Sequence, residues 1–450
     1  MRRTNTLRIG ATLTVAALAL TGCLQSDDGG GGGGGENGGT EGAGGSEPGD
    51  GKVEVSGAFT GAEQEAFEAS LEAFEGESGI DIVYDGNADF TNLINSRVQG
   101  DPPDIGLFPQ PGLLLDLAAR DTMVPIDEFL DTGELEGSLI PGFLDSVTDD
   151  EGVVYGAPMR LAVKSVVWVP KKAWADGGYP MEFASVQELQ TTAEEIKGSG
   201  TPPWCIGYEG GASTGWVGTD WLEEFVLRVN GPEVYDQWVS HEIPFNDPQI
   251  VQALDAYGEL IGEDADNVLG GRSGILNTPF GEAGNPSFEE PPACMMQRQG
   301  NFITGFFPED VQKNLDDSVS VFTFPAYEGG YDGQPILGGG DVAALFNGED
   351  DEAKEVMEFL TSADFGAEWA QAGGWLSPHT TFDVSNYPDE TTRTVAELAN
   401  SADVFRYDGS DLMPAEVGAG TFWEGSVDWI NGDATSEEML TKVEESWPAE

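Results

Sequence analysis

The chain has 450 residues, of which 81 are acidic and 19 basic, for a formal net charge of −62. Such a charge repels nucleic acid and anionic lipid, so functions that rest on a basic face are excluded. Hydrophobic residues make up 39% of the chain and tryptophans number 11, a composition that builds packed cores and leaves the charge to the surface.

The first segment reads as an export signal. Arg2, Arg3 and Arg8 form a basic head, and the apolar run Ile9 to Leu20 is 12 residues long. That is too short to cross a bilayer, which takes about 20 apolar residues, and it suits a signal-peptide core. Leu20-Thr21-Gly22-Cys23 resembles the bacterial lipoprotein cleavage box, which implies a lipid on Cys23 and a place on the outer face of the cell membrane. An ordinary secretory peptide with an incidental cysteine is the alternative. The Arg2-Arg3 pair lacks the apolar residues that follow it in a twin-arginine signal, which leaves the export route open. Residues 24–51 hold 14 glycines in 28 positions, including Gly29 to Gly35, and no apolar periodicity. They read as a flexible tether with a reach of about 30 Å.

Nearly 400 residues follow, more than one core commonly supports, so two lobes are expected. Their carboxylates are scattered rather than grouped into a spaced-ligand motif, which predicts a solvated surface adapted to high salt, with no metal and no cofactor. Cys205 and Cys294 remain once Cys23 is set aside. In an oxidising compartment an even remainder suggests one bridge; two buried free thiols are the alternative.

Strand and helix then alternate. Lys52 to Val55 reads as a strand, and Phe67, Leu71 and Phe74 mark one face of a helix. Ile80 to Tyr84 is a second strand, followed by a helix with Phe90, Leu93, Ile94 and Val98 on one face. Asp104 to Phe108 is a third strand, and Leu113 to Ala119 a short helix. This alternation predicts a parallel sheet covered on both faces, with ligands bound beyond the carboxyl ends of its strands. Those ends fall near Phe59, Asp85 to Asn87, and Phe108-Pro109-Gln110.

Tyr155 to Val169 is extended and embeds Lys164, either an edge charge or a polar contact in a cleft. Gln187 to Ile196 and Trp221 to Val229 read as helices, and residues 262–293 as a long loop. Val319 to Phe324 and Val342 to Phe346 read as strands, the latter after a turn at Gly338-Gly339-Gly340. A helix carries Val356, Phe359 and Leu360, and Thr435 with Glu438 forms a capping box for the last one.

Enzyme signatures are sparse. Gly211 to Gly215 matches the G-x-S-x-G nucleophile elbow, which needs a strand before it and a histidine base after it. Only His241 and His379 exist, and Glu209-Gly210 is a poor strand end. No zinc, P-loop or paired C-x-x-C motif is present, and nothing singles out a carboxylate pair for glycoside hydrolysis.

Several motifs in order resemble the family 1 extracellular solute-binding proteins of ABC importers, the maltose-binding-protein class. They are Pro102 to Phe108, Tyr155 to Pro158 with Val166 to Lys172, Met295 to Phe307, and Phe365 to Ser377. Trp204 to Gly207, Gly215 to Trp221, Met296 to Phe302 and Phe422 to Val427 are similar to an α-glucoside-binding subgroup. The resemblance implies an α/β, two-lobed periplasmic-binding-protein-like fold. Each lobe is then a mainly parallel sheet flanked by helices, and hinge crossovers join the two. Lobe I would be residues 52–159 and 324–372, and lobe II residues 160–323 and 373–450. It implies a monomer that captures a sugar unchanged, with the permease subunits of the transporter as its partners.

The same resemblance places Phe108, Phe302 and Trp423 against the sugar and Gln110 beside the first. Trp216, Asp220, Trp221, Asp341 and Trp375 would lie near the cleft, with Lys164 and Glu209 as further contacts. At the crossover Ala162 stands where the maltose pattern has an acidic hydroxyl acceptor. The functional alternatives are a cell-surface glycoside hydrolase and a binding protein for a non-sugar solute such as a polyamine.

Overall fold

The computed structural model describes residues 48–402 and 404–448. The signal segment, Cys23 and most of the glycine-rich stretch lie outside the described residues. Among the described residues nine strands form two sheets: β1 (Lys52–Gly57), β2 (Asp81–Gly86), β3 (Ile105–Phe108), β4 (Ala157–Val163), β5 (Val166–Pro170), β6 (Gln297–Arg298), β7 (Val319–Thr323), β8 (Ile336–Leu345) and β9 (Phe405–Tyr407).

The first sheet runs β2-β1-β3-β8-β4, with β9 paired to β8. Its opening half is parallel, as the strand–helix alternation requires: β1 pairs in parallel with both β2 and β3. Strand β8 then inserts antiparallel between β3 and β4. The second sheet, β6-β5-β7, is antiparallel throughout. This corrects the expectation of a mainly parallel sheet there. Strand β5 follows β4 after two residues and enters a new sheet, so no helical crossover sets a parallel neighbour beside it.

Two apolar clusters match the two sheets. One gathers Val53, Val55, Ile105 and Leu107 with Phe67 and Ile94 from the covering helices. The other gathers Val167 and Val169 with Trp221, Phe225, Tyr257 and Leu260. Ile303 to Val319 and Trp375 to Tyr407 contribute to the first cluster, whereas Met413 to Val443 contribute to the second. The chain passes between the sheets at Lys164-Ser165, between β7 and β8, and after β9.

Two local readings are corrected. Gly338-Gly339-Gly340 lies inside β8 rather than forming a turn before it. A Cβ on Gly340 would sit 1.9 Å from the Arg160 carbonyl, and one on Gly338 2.6 Å from the Ala162 carbonyl, so glycine permits the close approach of β4. The stretch 262–293 is not all loop: Gly271–Asn277 is a helix, and short 3-10 turns flank it. Cys205 and Cys294 are bridged, with Cα atoms 5.6 Å apart. The last helix, Ser436–Glu444, has its capping box at Thr435 and Glu438.

Candidate functional site

A cavity of about 300 Å³ lies where the two sheets exchange strands. From the first sheet's side it is lined by Phe59, Thr60 and Glu63, beyond the end of β1, by Thr91, beyond β2, and by Gln110, beyond β3. These are the carboxyl-end loops where an open α/β sheet presents its ligand site. From the opposite side come Ser213, Trp216, Asp220, Phe280 and Trp423, and Phe306 lines the cavity beside Phe280. The floor is Arg160, Ala162 and Lys164, which alternate along β4 and its last step, together with Asp341 on β8.

Each floor cation is held by carboxylates. Arg160 donates to Glu63 at 2.9 Å, and its Nε lies 3.5 Å from Asp341. The guanidinium also sits over the rings of Phe59, Trp369 and Phe302, 5.1 to 5.7 Å from their centroids. Burial pushes the Asp341 carboxyl up to about 6, against the pull of Arg160. Lys164 donates to Asp220 at 3.0 Å and to Asp408. Burial alone would lower the lysine, but Asp220, Asp408 and Asp411 outweigh it and hold the ammonium charged.

The carboxylates around Lys164 are not equivalent. Asp408 is drawn below the usual range: burial opposes this, but Lys164, a hydrogen bond with Asp220 and the Ser410 hydroxyl prevail. It also caps the short helix Gly409–Leu412 by accepting from the Asp411 backbone. Asp220 is pushed up to about 8 by burial and by the like charge of Asp408, with Lys164 opposing. Glu223, one helical turn on, accepts from the backbone of Gly409 and Ser410 at 2.8 and 3.0 Å. It thereby ties the helix Trp216–Val229 to the segment after β9. Ser165 donates to the buried Glu224 at 2.7 Å and accepts from the Leu337 backbone at 2.8 Å, which fixes the chain next to Lys164.

Among the residues expected from sequence, the structure brings Gln110, Lys164, Trp216, Asp220, Phe302, Asp341 and Trp423 to this one cavity. Four others lie elsewhere. Phe108 is fully buried on a central strand and packs edge-on against Phe90 at 5.3 Å. Trp221 is fully buried and stacked on Tyr257 at 5.1 Å. Trp375 fills the space above Gly366, where a Cβ would meet its ring at 2.2 Å. Glu209 turns away and accepts from the Gly211 backbone at 3.0 Å. In each of the three aromatic cases core packing takes the ring, as it does for most large aromatic side chains. Trp423 does reach the wall, yet it is only 6% exposed and its Nε1 is buried without a partner.

Sequence reasoning missed Glu63, Arg160, Asp408 and Asp411. The signal for Arg160 was available: residues 160, 162 and 164 share one face of an extended strand. Asp408 and Asp411 arrive through a three-residue strand that no periodicity announces.

Ser213 of the G-x-S-x-G match sits on a 3-10 turn and donates to the Gly210 carbonyl at 2.9 Å. His379 is bonded to Ser138 and Thr361, and His241 to Glu444, so neither serves it as a base. Among the described residues no cluster of histidine, cysteine or carboxylate groups is arranged to hold a metal.

The sequence pattern of bacterial extracellular solute-binding proteins matches residues 60–367. The chain belongs to that family. An osmoprotective compounds-binding protein of Synechocystis is 42% identical over 398 residues, 88% of this chain and 92% of its own length. An alpha-glucosides-binding periplasmic protein of Rhizobium meliloti is 32% identical over 400 residues, 87% of this chain and 86% of its own. The structure of a chitin oligosaccharide binding protein superposes with a TM-score of 0.74 at 18% identity, over 88% of this chain and 97% of that one. That likeness places the chain in the two-lobed binding-protein fold. The strand exchange between two sheets and the cavity at that exchange are the features of such a receptor.

Proposed function

We propose that the protein captures a small neutral carbohydrate, an α-glucoside or short oligosaccharide, and hands it unchanged to the permease of an ABC importer. The observation that carries this is the cavity itself. Aromatic faces of Trp216, Phe280, Phe302 and Phe306 stand over a floor of paired cations and carboxylates. A pyranose has an apolar C–H face and a rim of hydroxyls, and such a cavity offers both kinds of partner. A volume of about 300 Å³ is at the small end for ligand clefts, which favours one or two rings over a long chain. The relatives named for α-glucosides and for osmoprotective compounds support the same class.

The six-stranded sheet is the base of lobe I in this reading, and the three-stranded sheet that of lobe II. Closure is a hinge motion at the strand exchange. A lipid on Cys23 holds the protein at the outer face of the membrane, with residues 24–51 as the tether. The receptor works as a monomer, its acidic surface suited to concentrated salt.

A thermal-shift screen of mono-, di- and trisaccharides in high salt tests the ligand class. A sugar at 100 times its dissociation constant stabilises the fold by about 2.7 kcal/mol, a shift of a few degrees. Stabilisation by a polyamine and by no sugar would replace the carbohydrate reading with the cationic-solute one.

A further inference from the structure

We propose that the cavity takes up its ligand together with one proton, held between the carboxyls of Asp220 and Asp408, so that capture weakens as the medium turns alkaline. This deepens the carbohydrate reading as a regulation of that same site and rests on it. The hydrogen bonds around Lys164 point to the proton. Lys164 is one ammonium among the buried carboxyls of Asp220, Asp408 and Glu223, with Asp411 half-buried beside them. Three of the four carboxyls have donors other than a proton of their own. Asp408 accepts from Lys164, from the Ser410 hydroxyl at 2.8 Å and from the Asp411 backbone at 3.1 Å. Glu223 accepts from the Gly409 and Ser410 backbone and from the Tyr235 hydroxyl. Asp411 is hydrogen-bonded to the Gln110 side chain. Asp220 differs. Its Oδ1 accepts from Lys164, but Oδ2 is buried with no donor, on a residue 1% exposed, and the carboxyl lies within hydrogen-bond reach of Asp408. Two bare carboxylates in contact repel, and one proton between them turns the contact into a hydrogen bond.

The pair joins two walls of the cavity. Asp220 sits on the helix Trp216–Val229 and Asp408 on the segment after β9; both line the cavity, and Lys164 and Asp408 pack over Gly339 on its floor. The other groups facing Asp220 do not replace the proton. Lys164 after β4 and Arg298 on β6 favour its anion, but burial and the Asp408 charge outweigh them and push the carboxyl up to about 8. Tyr208, before the helix, is kept a neutral phenol by burial. A ligand seated in the cavity takes further water from the pair, which disfavours a second buried anion. Proton and ligand therefore strengthen each other, and reciprocity makes binding take up protons in alkaline solution. Below about pH 7 the proton is in place. As the pH rises through about 8 it leaves, the two carboxylates repel, and the wall they form loosens. If the protonated form alone binds, apparent affinity falls roughly tenfold between pH 7 and pH 9.

The test is calorimetry of the purified protein with maltose, trehalose and sucrose from pH 6 to pH 9 in constant high salt. Each titration is run in two buffers of different ionisation enthalpy, which counts the protons taken up. A sugar that binds should do so roughly tenfold more weakly at pH 9 than at pH 7, with proton uptake at pH 9 and none at pH 6. Asp220→Asn offers Asp408 an amide donor and cannot titrate. Its affinity, at whatever level, should be the same at pH 7 and pH 9, without proton uptake. In the absence of sugar, the infrared difference between wild type and Asp220→Asn at pH 7 should show one protonated carboxyl in the wild type. A wild-type affinity independent of pH would overturn the shared proton and leave the carbohydrate reading standing. So would a fall that persists in Asp220→Asn, or an infrared difference without the protonated carboxyl. If Asp220→Asn does not fold, the proton count and pH dependence of the wild type decide alone. Binding of none of the three sugars at any pH would overturn both.

Discussion

Removing the Trp216 ring should cut affinity without unfolding the protein. Trp216 is the first residue of its helix and is half-buried, with one face toward the cavity. It packs against Phe280 at 5.2 Å and Phe302 at 6.1 Å, and the Lys164 ammonium lies 5.4 Å from its centroid. A large aromatic side chain buries about 150–250 Å² in full. If a sugar covers the free face, about 60–100 Å² of apolar area leaves water on binding. At about 25 cal/mol per Å² that contributes about 1.5–2.5 kcal/mol, or roughly 10- to 70-fold in affinity. Trp423 is a poorer probe: it is 6% exposed, so truncating it opens a hole costing about 3–5 kcal/mol of folding stability. The assay is calorimetry of Trp216→Ala against wild type with the best sugar, beside a melting curve of each. Wild-type affinity in a folded Trp216→Ala would refute the stacking argument and move the ligand away from this wall.

Opening the Cys205–Cys294 bridge, which closes 89 residues, should lower stability by at most about 4–5 kcal/mol, read as a lower denaturation midpoint of Cys205→Ser/Cys294→Ser; an unchanged midpoint would contradict this. The melting temperature should rise with salt, most steeply below about 1 M, because a net charge of −62 repels itself until screened; a flat dependence would show that no screening is needed. Asp220, raised from 3.8 to about 8, favours the folded state as the neutral acid. That contribution is complete below about pH 4 and fades as the pH rises through about 8, so Asp220→Asn should lose less stability than wild type between pH 5 and 9. Parallel pH curves for the two proteins would refute it. Cys23→Ala should release the protein from the membrane or block its processing, and retention at the wild-type level would argue against a lipid anchor.

The first sheet was legible because its strands are short apolar runs between amphipathic helices. Val53, Val55, Ile105 and Leu107 point into one core, and Phe67 and Leu71 cover it. The glycines of β8 were not legible. Three in a row signal a turn, and only the close approach of the β4 carbonyls shows why a strand needs them. The antiparallel second sheet escaped for a related reason, since its pairings join segments more than 100 residues apart and leave no local periodicity. Within the site, Gln110 beyond β3, Trp216 and Asp220 on their helix and Asp341 on β8 were found. Tryptophans were the weak point: Trp216 and Trp221 sit five residues apart on one helix, yet one faces the cavity and the other stacks on Tyr257. Only the helix's partners decide which is which. Asp408 and Asp411 could not be anticipated, because their role comes from a lysine 244 and 247 positions away that tertiary folding alone brings near.

The most direct test of solute capture is equilibrium binding of the purified protein to a panel of α-glucosides in high salt, followed by chromatography of the recovered sugar. One molecule bound per chain and recovered intact is the predicted result. A hydrolysed sugar would make the protein an enzyme, and failure of every sugar to bind would contradict the account.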